Sequence, residues 1–374
     1  MNARSFIAGL LKKIGSEING RNPWDMQVRD PRVYDRIMAG GSLALGETYM
    51  DGLWDCQRLD EFFNRIVSAR LDKQIRVSFD LAMLALRSKL QNMQNPARVW
   101  RAADVHYDLP YKIFEATFDK RLTGSCGYWA EADTLDDAQE AKLDLVCRKL
   151  GLKPGENNDI RILDIGCGWG AFMGFAAERY GVKCVGVTIS KEQQKYAMDR
   201  YSHLPVESRL EDYRKFNEPV NMIASMGMFE HVGSKNYRNY FEMARRCLRD
   251  DGLFVLHTIW ANHENSHIDP WIDKYIFPNG VLPTVAQITK AVEGLFVIED
   301  VHNFGAYYDR TLMAWNEKFQ SNRAGIAAEF GEKFCRMWEY YLLCCAGGFR
   351  SRGISVGQFV LSPKGVKGVY QAVR

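Results

Sequence analysis

The chain has 374 residues, of which 47% are hydrophobic and 25% are charged, and its formal net charge is +3. This composition indicates a globular protein of two or three domains, and it excludes a disordered chain, a fibrous repeat and a histone-like polycation. Uninterrupted apolar runs such as 81–86 fall far short of the roughly 20 residues that cross a bilayer. Nine cysteines, an odd number spread from Cys56 to Cys345, do not indicate a disulfide framework. We therefore expect a reduced, cytoplasmic protein without a signal peptide.

The first hundred residues have the apolar periodicity of helices. Apolar side chains recur on one stripe, and we predict helices over 4–14, 60–71 and 75–93. Gly40-Gly41 and the segment 46–52 are predicted to form turns between them. Residues 1–101 carry 16 Lys and Arg against 11 Asp and Glu, which favours an anionic partner such as a lipid surface. Two interpretations remain open, a small bundle packed on itself and a basic amphipathic surface that touches a membrane.

Pro96 ends the helical run, because a proline disfavours helix in the residue before it. We therefore place a helical domain over residues 1–95, a linker over 96–104 and a second domain over 105–374.

From about residue 140 the pattern alternates between strands and helices. Strands are predicted over 160–165, 183–187, 220–225 and 253–259. Helices are predicted over 138–150, 171–180 and 237–248, and a further helix is predicted to begin at Ser190. A helix over 328–345 precedes a closing strand over 355–361. Strands that alternate with helices predict an α/β domain with a doubly wound, mostly parallel sheet.

The strongest local signal is the glycine-rich loop LDIGCGWG at residues 163–170, between a predicted strand and a predicted helix. Its glycines allow a tight turn and a close approach to a ligand. Such a loop alone is weak, because dinucleotide-binding folds use a related one. However, Val187 and Thr188 stand where a nicotinamide enzyme would carry an acid, and the acid instead precedes the glycines as Asp164. This arrangement favours an S-adenosylmethionine site.

Several further segments resemble those of the cyclopropane-fatty-acyl-phospholipid synthase family, which includes the mycolic acid cyclopropane synthases. They are VGVTISKEQQ (185–194), MFEHVG (228–233), DPWIDKYIFPNG (269–280), NFGAYYDRTLMAW (303–315) and YYLLCCAGGFR (340–350). The resemblance implies a Rossmann-like class I S-adenosylmethionine-dependent methyltransferase domain preceded by a small all-helical domain that binds lipid and dimerises. With the loop itself, it predicts cofactor contacts from Ser125, Asp164, Gly166, Cys167, Gly168, Gly170, Thr188, Gln193, Glu211 and Asp212. Gln193 would bind the ribose.

The resemblance also implies a reaction. A methylene group passes from S-adenosylmethionine to the cis double bond of an unsaturated phospholipid acyl chain, through methyl transfer, a carbocation and loss of a proton to enzyme-bound bicarbonate. Glu230 and His257 fall near the carboxyl ends of the predicted strands 220–225 and 253–259, where open α/β sheets bind ligands. The family implies that bicarbonate is held by Cys126, Glu230, His257, Ile259 and Tyr308.

Each of these assignments has a structural alternative. Glu230 and His231 could be a charge pair at a helix N-terminus, and His257 could be a core histidine. Tyr308 could simply pack, with the tyrosine before it as the functional one.

The two cysteines proposed for the site are also open to a structural interpretation. Cys126 could be a small apolar residue that binds through its backbone amide. Cys345 aligns with a cysteine sometimes considered catalytic in the family, but the reaction needs no covalent enzyme intermediate. We therefore expect a structural role for Cys345, although a chemical one remains possible.

Other chemistries and partners must be weighed beside the main prediction. Related reactions would stop at a methyl-branched chain, act on carrier-bound acyl chains or methylate a small amine, and a non-catalytic S-adenosylmethionine sensor is a further alternative. We expect peripheral association with the inner face of the membrane, unsaturated phospholipids as partners and a homodimer. We expect no nucleic acid and no metal, because the histidines lack metal-ligand spacing.

Overall fold

A computed structural model describes residues 2–71, 110–157, 159–262 and 268–374. Among these residues, one compact unit comprises 2–71, 268–279 and 308–354, and a second comprises the remainder. The predicted helix over 75–93, Pro96 and the linker over 96–104 lie outside the described residues. The first unit is not confined to the predicted domain 1–95, because it includes segments from the C-terminal half of the chain.

The described residues contain twelve α-helices and one large sheet. The helices are α1 (Ala3–Lys13), α2 (Arg32–Met50), α3 (Leu59–Ser68), α4 (Tyr111–Glu115), α5 (Leu135–Lys149), α6 (Ala171–Tyr180), α7 (Lys191–Arg200), α8 (Tyr237–Cys247), α9 (Pro270–Tyr275), α10 (Val285–Val292), α11 (Ala306–Phe330) and α12 (Glu332–Arg350). The strands of the sheet are β1 (Arg161–Ile165), β2 (Lys183–Thr188), β3 (Val206–Leu210), β4 (Val220–Met226), β5 (Leu248–Ala261), β6 (Val297–Asn303) and β7 (Ile354–Ser362). A separate antiparallel pair joins Gln27–Val28 to Trp54–Asp55.

The first unit is mainly helical, and α12 packs on α3 within it. Arg350 pairs with Asp60 at 2.6 Å and with Asp309 at 2.9 Å, and the rings of Phe63 and Tyr340 lie 5.1 Å apart. Because these contacts join residues far apart in sequence, the N-terminal helices cannot form this unit by themselves.

Two sequence predictions in the first unit are wrong. The segment 46–52 is helical as far as Met50, because Gly46 serves close packing: a Cβ there would lie 2.3 Å from the ring of Trp271. The predicted helix over 328–345 is two helices, since Gly331 adopts a φ of 83° between α11 and α12. Gly41 does interrupt α2, with a φ of 58°.

The second unit is an α/β domain, which confirms the predicted fold class. The strand order is β3-β2-β1-β4-β5-β7-β6; the first five strands pair in parallel and β7 pairs antiparallel with β6. Along β1, Ile162 packs into the core on one face and Leu163 into the core on the other, so the sheet is buried on both faces. β3 and β6 were not predicted from the sequence, because their charged and exposed residues hide the strand pattern.

In the described part of the chain, no helix combines the length and apolarity needed to span a bilayer. Within the same residues, no group of three or more His, Cys, Asp or Glu side chains could hold a metal ion.

Candidate active site

The glycine-rich loop connects the end of β1 to the start of α6. Its three glycines have φ values between 52° and 80°, which only glycine adopts without strain. The amides of Gly166 and Cys167 donate to the carbonyl of Val187 at 3.0 and 3.1 Å, which ties the loop to β2. A Cβ on Gly168 would have no atom within 4 Å. The backbone at Gly168 therefore faces open space, as a ligand that approaches the main chain requires.

Beside this loop, the end of β2 orients a glutamine. The Thr188 hydroxyl donates to Oε1 of Gln193 at 3.0 Å, and Ser190 caps α7 by accepting from the Gln193 amide at 3.3 Å. Together with residues 165–170, Thr188 and Gln193 form what we call the cofactor cradle. The structure thus brings these predicted cofactor residues together beside the ends of β1 and β2.

Two further predicted cofactor residues beside the cradle, and the side chain of Cys167 within it, are engaged with the protein. The amide of Glu211 donates to the carbonyl of Thr188 at 2.9 Å. The Asp212 carboxylate is bound by Arg214 at 2.7 Å. The Cys167 sulfur lies 3.5 Å from the Ser208 hydroxyl, and burial raises the pKa of this thiol. A contact of these residues with a cofactor stays a prediction.

Asp164 and Ser125 belong to a buried polar group that includes Lys142. Asp164 is 2% exposed, its Oδ1 has no hydrogen-bond partner among the described residues, and burial raises its pKa to about 7. The Ser125 hydroxyl oxygen accepts a hydrogen bond from Nζ of Lys142 at 2.8 Å. Lys142 was not among the residues predicted for the site.

Glu230 is held in place by the neighbouring strand. It lies in a single helical turn, 229–231, after β4, and its Oε1 accepts a hydrogen bond from the amide of Ile259 at 2.7 Å. Its own carbonyl accepts from the amide of Val281 at 2.9 Å. Burial raises the pKa of Glu230 to about 7. Ile259, a predicted site residue, thus contacts Glu230 through its backbone.

His257 lies on β5, two residues before Ile259 and therefore on the same face of the strand. It is 1% exposed, and its Nδ1 is 3.4 Å from Nε2 of Gln358 on β7. Burial, with the nearby cations of Lys142 and Lys149, holds the pKa of His257 well below its ordinary value, so the imidazole is neutral.

We call Glu230, His257, Ile259 and Gln358 the Glu230–His257 cluster. Among the residues that the structure describes, Oε2 of Glu230, Nε2 of His257 and Oε1 of Gln358 are buried without a hydrogen-bond partner. Buried polar atoms are almost always paired, with protein, water or a ligand. This cluster therefore favours a small polar ligand.

A chain of aromatic rings begins at His257. The ring of Phe304 lies 5.6 Å from the His257 ring and 5.5 Å from that of Tyr128, and Tyr307 lies 5.6 Å from Tyr128. Cys126 is fully buried beside Ser125, and its thiol donates to the carbonyl of Gly127 at 3.2 Å. Its part in ligand binding stays a prediction.

Two of the predicted catalytic residues belong to the first unit. Tyr308 is buried near the start of α11, where its ring lies 4.5 Å from that of Phe349 and 5.9 Å from that of Trp315. Cys345 is half-buried on α12. The roles proposed for Tyr308 and Cys345 stay predictions.

Sequence reasoning missed Lys142 and Gln358, although each left a signal. Lys142 lies four residues after Ala138 and three before Leu145, on the buried face of α5, where a lysine is unusual. Gln358 interrupts an otherwise apolar, fully buried stretch of β7. A polar residue on a buried stripe needs a partner, and that requirement could have marked both.

The strand order, the glycine-rich loop and the residues beside it define a class I S-adenosylmethionine-dependent methyltransferase. Residues 94–359 match the family model described as mycolic acid cyclopropane synthetase. The chain belongs to this family.

Known relatives extend this finding. The chain is 47% identical over 365 residues to cyclopropane-fatty-acyl-phospholipid synthase of Escherichia coli K12, covering 98% of this chain and 94% of that protein. It is 33% identical to the cyclopropane synthase MmaA2 from Mycobacterium tuberculosis, with a TM-score of 0.65 over 70% of this chain and 97% of that one. It is 34% identical to the mycolic acid cyclopropane synthase CmaA1 complexed with SAH and CTAB, with the same TM-score and coverage.

Proposed function

We propose that this methyltransferase is a cyclopropane-fatty-acyl-phospholipid synthase, which adds a methylene group across the cis double bond of an unsaturated phospholipid acyl chain. The observation that carries the proposal is the 47% identity to the Escherichia coli enzyme of that name over 98% of the chain. The mycobacterial relatives match only about two thirds of the chain, whereas this similarity covers nearly all of it and so includes the helical N-terminal part. Phospholipid rather than another lipid is therefore the favoured substrate.

The proposed reaction makes three demands on the protein. An alkene is a poor nucleophile, so it must be held in line with the sulfonium methyl group and the departing sulfur. Methyl transfer leaves a carbocation on the acyl chain, and water must be kept away from it. A base must then take a proton from the new methyl group so that the ring closes.

The Glu230–His257 cluster fits a bound bicarbonate ion. Because Gln358 is placed to donate to Nδ1 of His257, the neutral imidazole would carry its proton on Nε2 and could donate it to an anion. Oε2 of Glu230 can accept a hydrogen bond from the hydroxyl of such an ion. When bound there, bicarbonate would supply the base. Besides these residues, we propose contacts from Cys126 and Tyr308.

Aromatic side chains could stabilise a carbocation in the second unit. Phe304 lies near His257 and Tyr128 packs on Phe304, and each well-placed ring is worth about 0.5–2 kcal/mol toward a cation. Phe229 is less suited, because its ring stacks on Tyr237 within the hydrophobic core.

We propose that the helical N-terminal part, predicted as residues 1–95, binds the inner face of the membrane and forms a homodimer. In α1 the apolar side chains of Ile7 and Leu11 are buried, which favours the bundle interpretation for that stripe. Phe6 is exposed, and so are Lys12 and Lys13. A basic residue near anionic lipid contributes about 1 kcal/mol of binding.

The proposal is tested with purified enzyme, S-adenosylmethionine and vesicles of an oleoyl phospholipid, with bicarbonate either present or stripped from the buffer. We expect oleoyl chains to gain one methylene and lose the alkene, at a rate that falls when bicarbonate is removed. Untouched vesicles together with methylation of a small amine would overturn the function. Full activity without bicarbonate would overturn the proposed base alone.

A further inference from the structure

Lys142 on α5 is a buried cation that the reaction outlined above does not use. Its side chain is 0% exposed, and its Nζ donates to the Ser125 hydroxyl oxygen at 2.8 Å. Burial lowers its pKa to about 8, although the carboxylates of Asp119 and Asp164 favour the charged form. An ammonium group is expensive to bury, so a cation at this position needs nearby negative charge.

The two nearby carboxylates are not equivalent. Asp119 is satisfied by its own loop, because it accepts from the amide of Thr123 at 2.6 Å and from that of Arg121 at 2.9 Å. Asp164 lies on β1, where its Oδ1 has no hydrogen-bond partner in the described part of the chain. The unsatisfied polar atom of this group is therefore on the side of the glycine-rich loop.

Ser125 is fixed between α5 and the end of β4. Its carbonyl accepts a hydrogen bond from Nε2 of Gln139 at 2.7 Å, and its Cβ lies 3.9 Å from where a Cβ on Gly227 would stand. Because a lysine ammonium can only donate, the Ser125 oxygen must accept from it. The hydroxyl proton of Ser125 is then directed to another acceptor.

The sheet order indicates which end of the cofactor reaches Ser125. With the ribose at Gln193 beside β2, as predicted, one end of the molecule can run past β1 toward β4, because β1 lies between these strands. Of the two ends, adenine and the amino acid, only the amino acid carries a carboxylate, which is an acceptor of the charge that Lys142 and Ser125 require.

We propose that Lys142 is a positioning residue for the carboxylate of S-adenosylmethionine: it orients the Ser125 hydroxyl toward that group and supplies the balancing positive charge behind it. This role concerns the cofactor alone and holds whatever the methyl acceptor is.

The test compares two ligands that differ at this end. S-Adenosylhomocysteine carries the amino-acid end, whereas 5′-methylthioadenosine lacks it. We expect Lys142→Met to lower the affinity for S-adenosylhomocysteine at least tenfold in calorimetric titration. The affinity for methylthioadenosine should change by less than twofold. Equal weakening of both ligands, or of neither, would overturn the proposal.

Lys149 provides the matched control. It is also 0% exposed, lies seven residues further along α5 and pairs with Asp300 at 3.5 Å. Lys149→Met removes a buried lysine of the same helix, and we expect both ligands to keep their affinities.

Ser125→Ala keeps the test decisive if Lys142→Met does not fold. We expect this variant also to weaken S-adenosylhomocysteine selectively. Where both variants fold, we also expect the double variant to bind S-adenosylhomocysteine more tightly than independent effects would predict. Its fold-loss of affinity should be smaller than the product of the two single fold-losses, because both substitutions act through one hydroxyl group. An unchanged ratio of the two ligand affinities in Ser125→Ala would overturn the proposal.

Discussion

The side chains of Glu230 and His257 are ionisable, yet they occupy buried positions of the kind where a protein normally carries apolar residues. Each is fixed by one hydrogen bond, from the Ile259 amide and from Gln358 respectively, and each keeps a second polar atom that forms no hydrogen bond with a described residue. Holding such groups costs stability. We interpret that cost as the consequence of keeping a binding site for a small polar ion.

The first prediction concerns turnover. Glu230→Gln keeps the contact to the Ile259 amide but cannot ionise, and His257→Ala removes the imidazole. We expect kcat to fall at least 100-fold in each, the range typical of lost acid–base groups, while calorimetry finds the affinity for S-adenosylhomocysteine unchanged within twofold. The exposed His203 offers a control, since His203→Ala should change neither quantity. A parallel loss of cofactor affinity would mean that these residues shape the fold instead.

The second prediction concerns stability and pH. The pKa of Glu230 is about 7 in the folded protein against an ordinary 4.5, so the folded state prefers the protonated acid. Its contribution to stability is present below pH 4.5 and is lost as the pH rises through 7. Glu230→Gln has no such loss, and we expect it to be more stable than the parent at pH 8 by up to about 3 kcal/mol.

Denaturant unfolding at pH 8 and at pH 5 measures this difference. The advantage of Glu230→Gln should be much smaller at pH 5, because the acid is then largely protonated in the folded protein. An advantage of equal size at both pH values would contradict the assigned cause.

At the scale of elements, the cofactor cradle depends on how the loop after β1 meets β2. The amides of Gly166 and Cys167 hold the loop to the carbonyl of Val187, while Gly168 turns its backbone toward open space. The ends of parallel strands and the start of α6 thus create a surface of backbone that a ligand can approach closely.

Gly168→Ala tests this arrangement. At a φ of 52° an alanine costs about 1–2 kcal/mol, but no protein atom obstructs its Cβ. We expect a modest loss of stability and at least a tenfold loss of S-adenosylhomocysteine affinity, since the new methyl group occupies the ligand's space.

Gly181 is the matched position for that experiment. It has a φ of 69°, ends α6 and also has no atom within 4 Å of an added Cβ. Gly181→Ala should cost similar stability in thermal unfolding and leave cofactor affinity intact. If both variants lost affinity equally, Gly168 would have no special place in the cradle.

At the scale of the whole molecule, the sequence predicted the α/β domain well because its information is local. A short stretch of sequence is enough to predict the buried strands β1 and β2 and the turn at the glycines of 163–170. The helix α6 was likewise predicted with its observed ends. Predictions failed where distant residues decide. Gly46 resembles a turn residue in the sequence, but in the structure it packs against the ring of Trp271. The helix α3 packs against α12, whose residues lie almost 300 positions away in the chain.

The same distinction applies to the candidate site. Glu230 and His257 could be predicted because a motif and a strand end mark them. Gln358 was missed. Its place in a buried strand marks it only as a polar residue that needs a partner, and that partner, His257, lies 101 residues away in the chain.

The central claim is that the transferred methyl group loses one hydrogen as the ring closes, and S-adenosylmethionine with a trideuterated methyl group tests it most directly. After incubation with oleoyl phospholipid vesicles, mass analysis of the acyl chains should find a product without an alkene that retains two of the three deuterium atoms. A product that retains all three would mean simple methylation, and it would contradict the account.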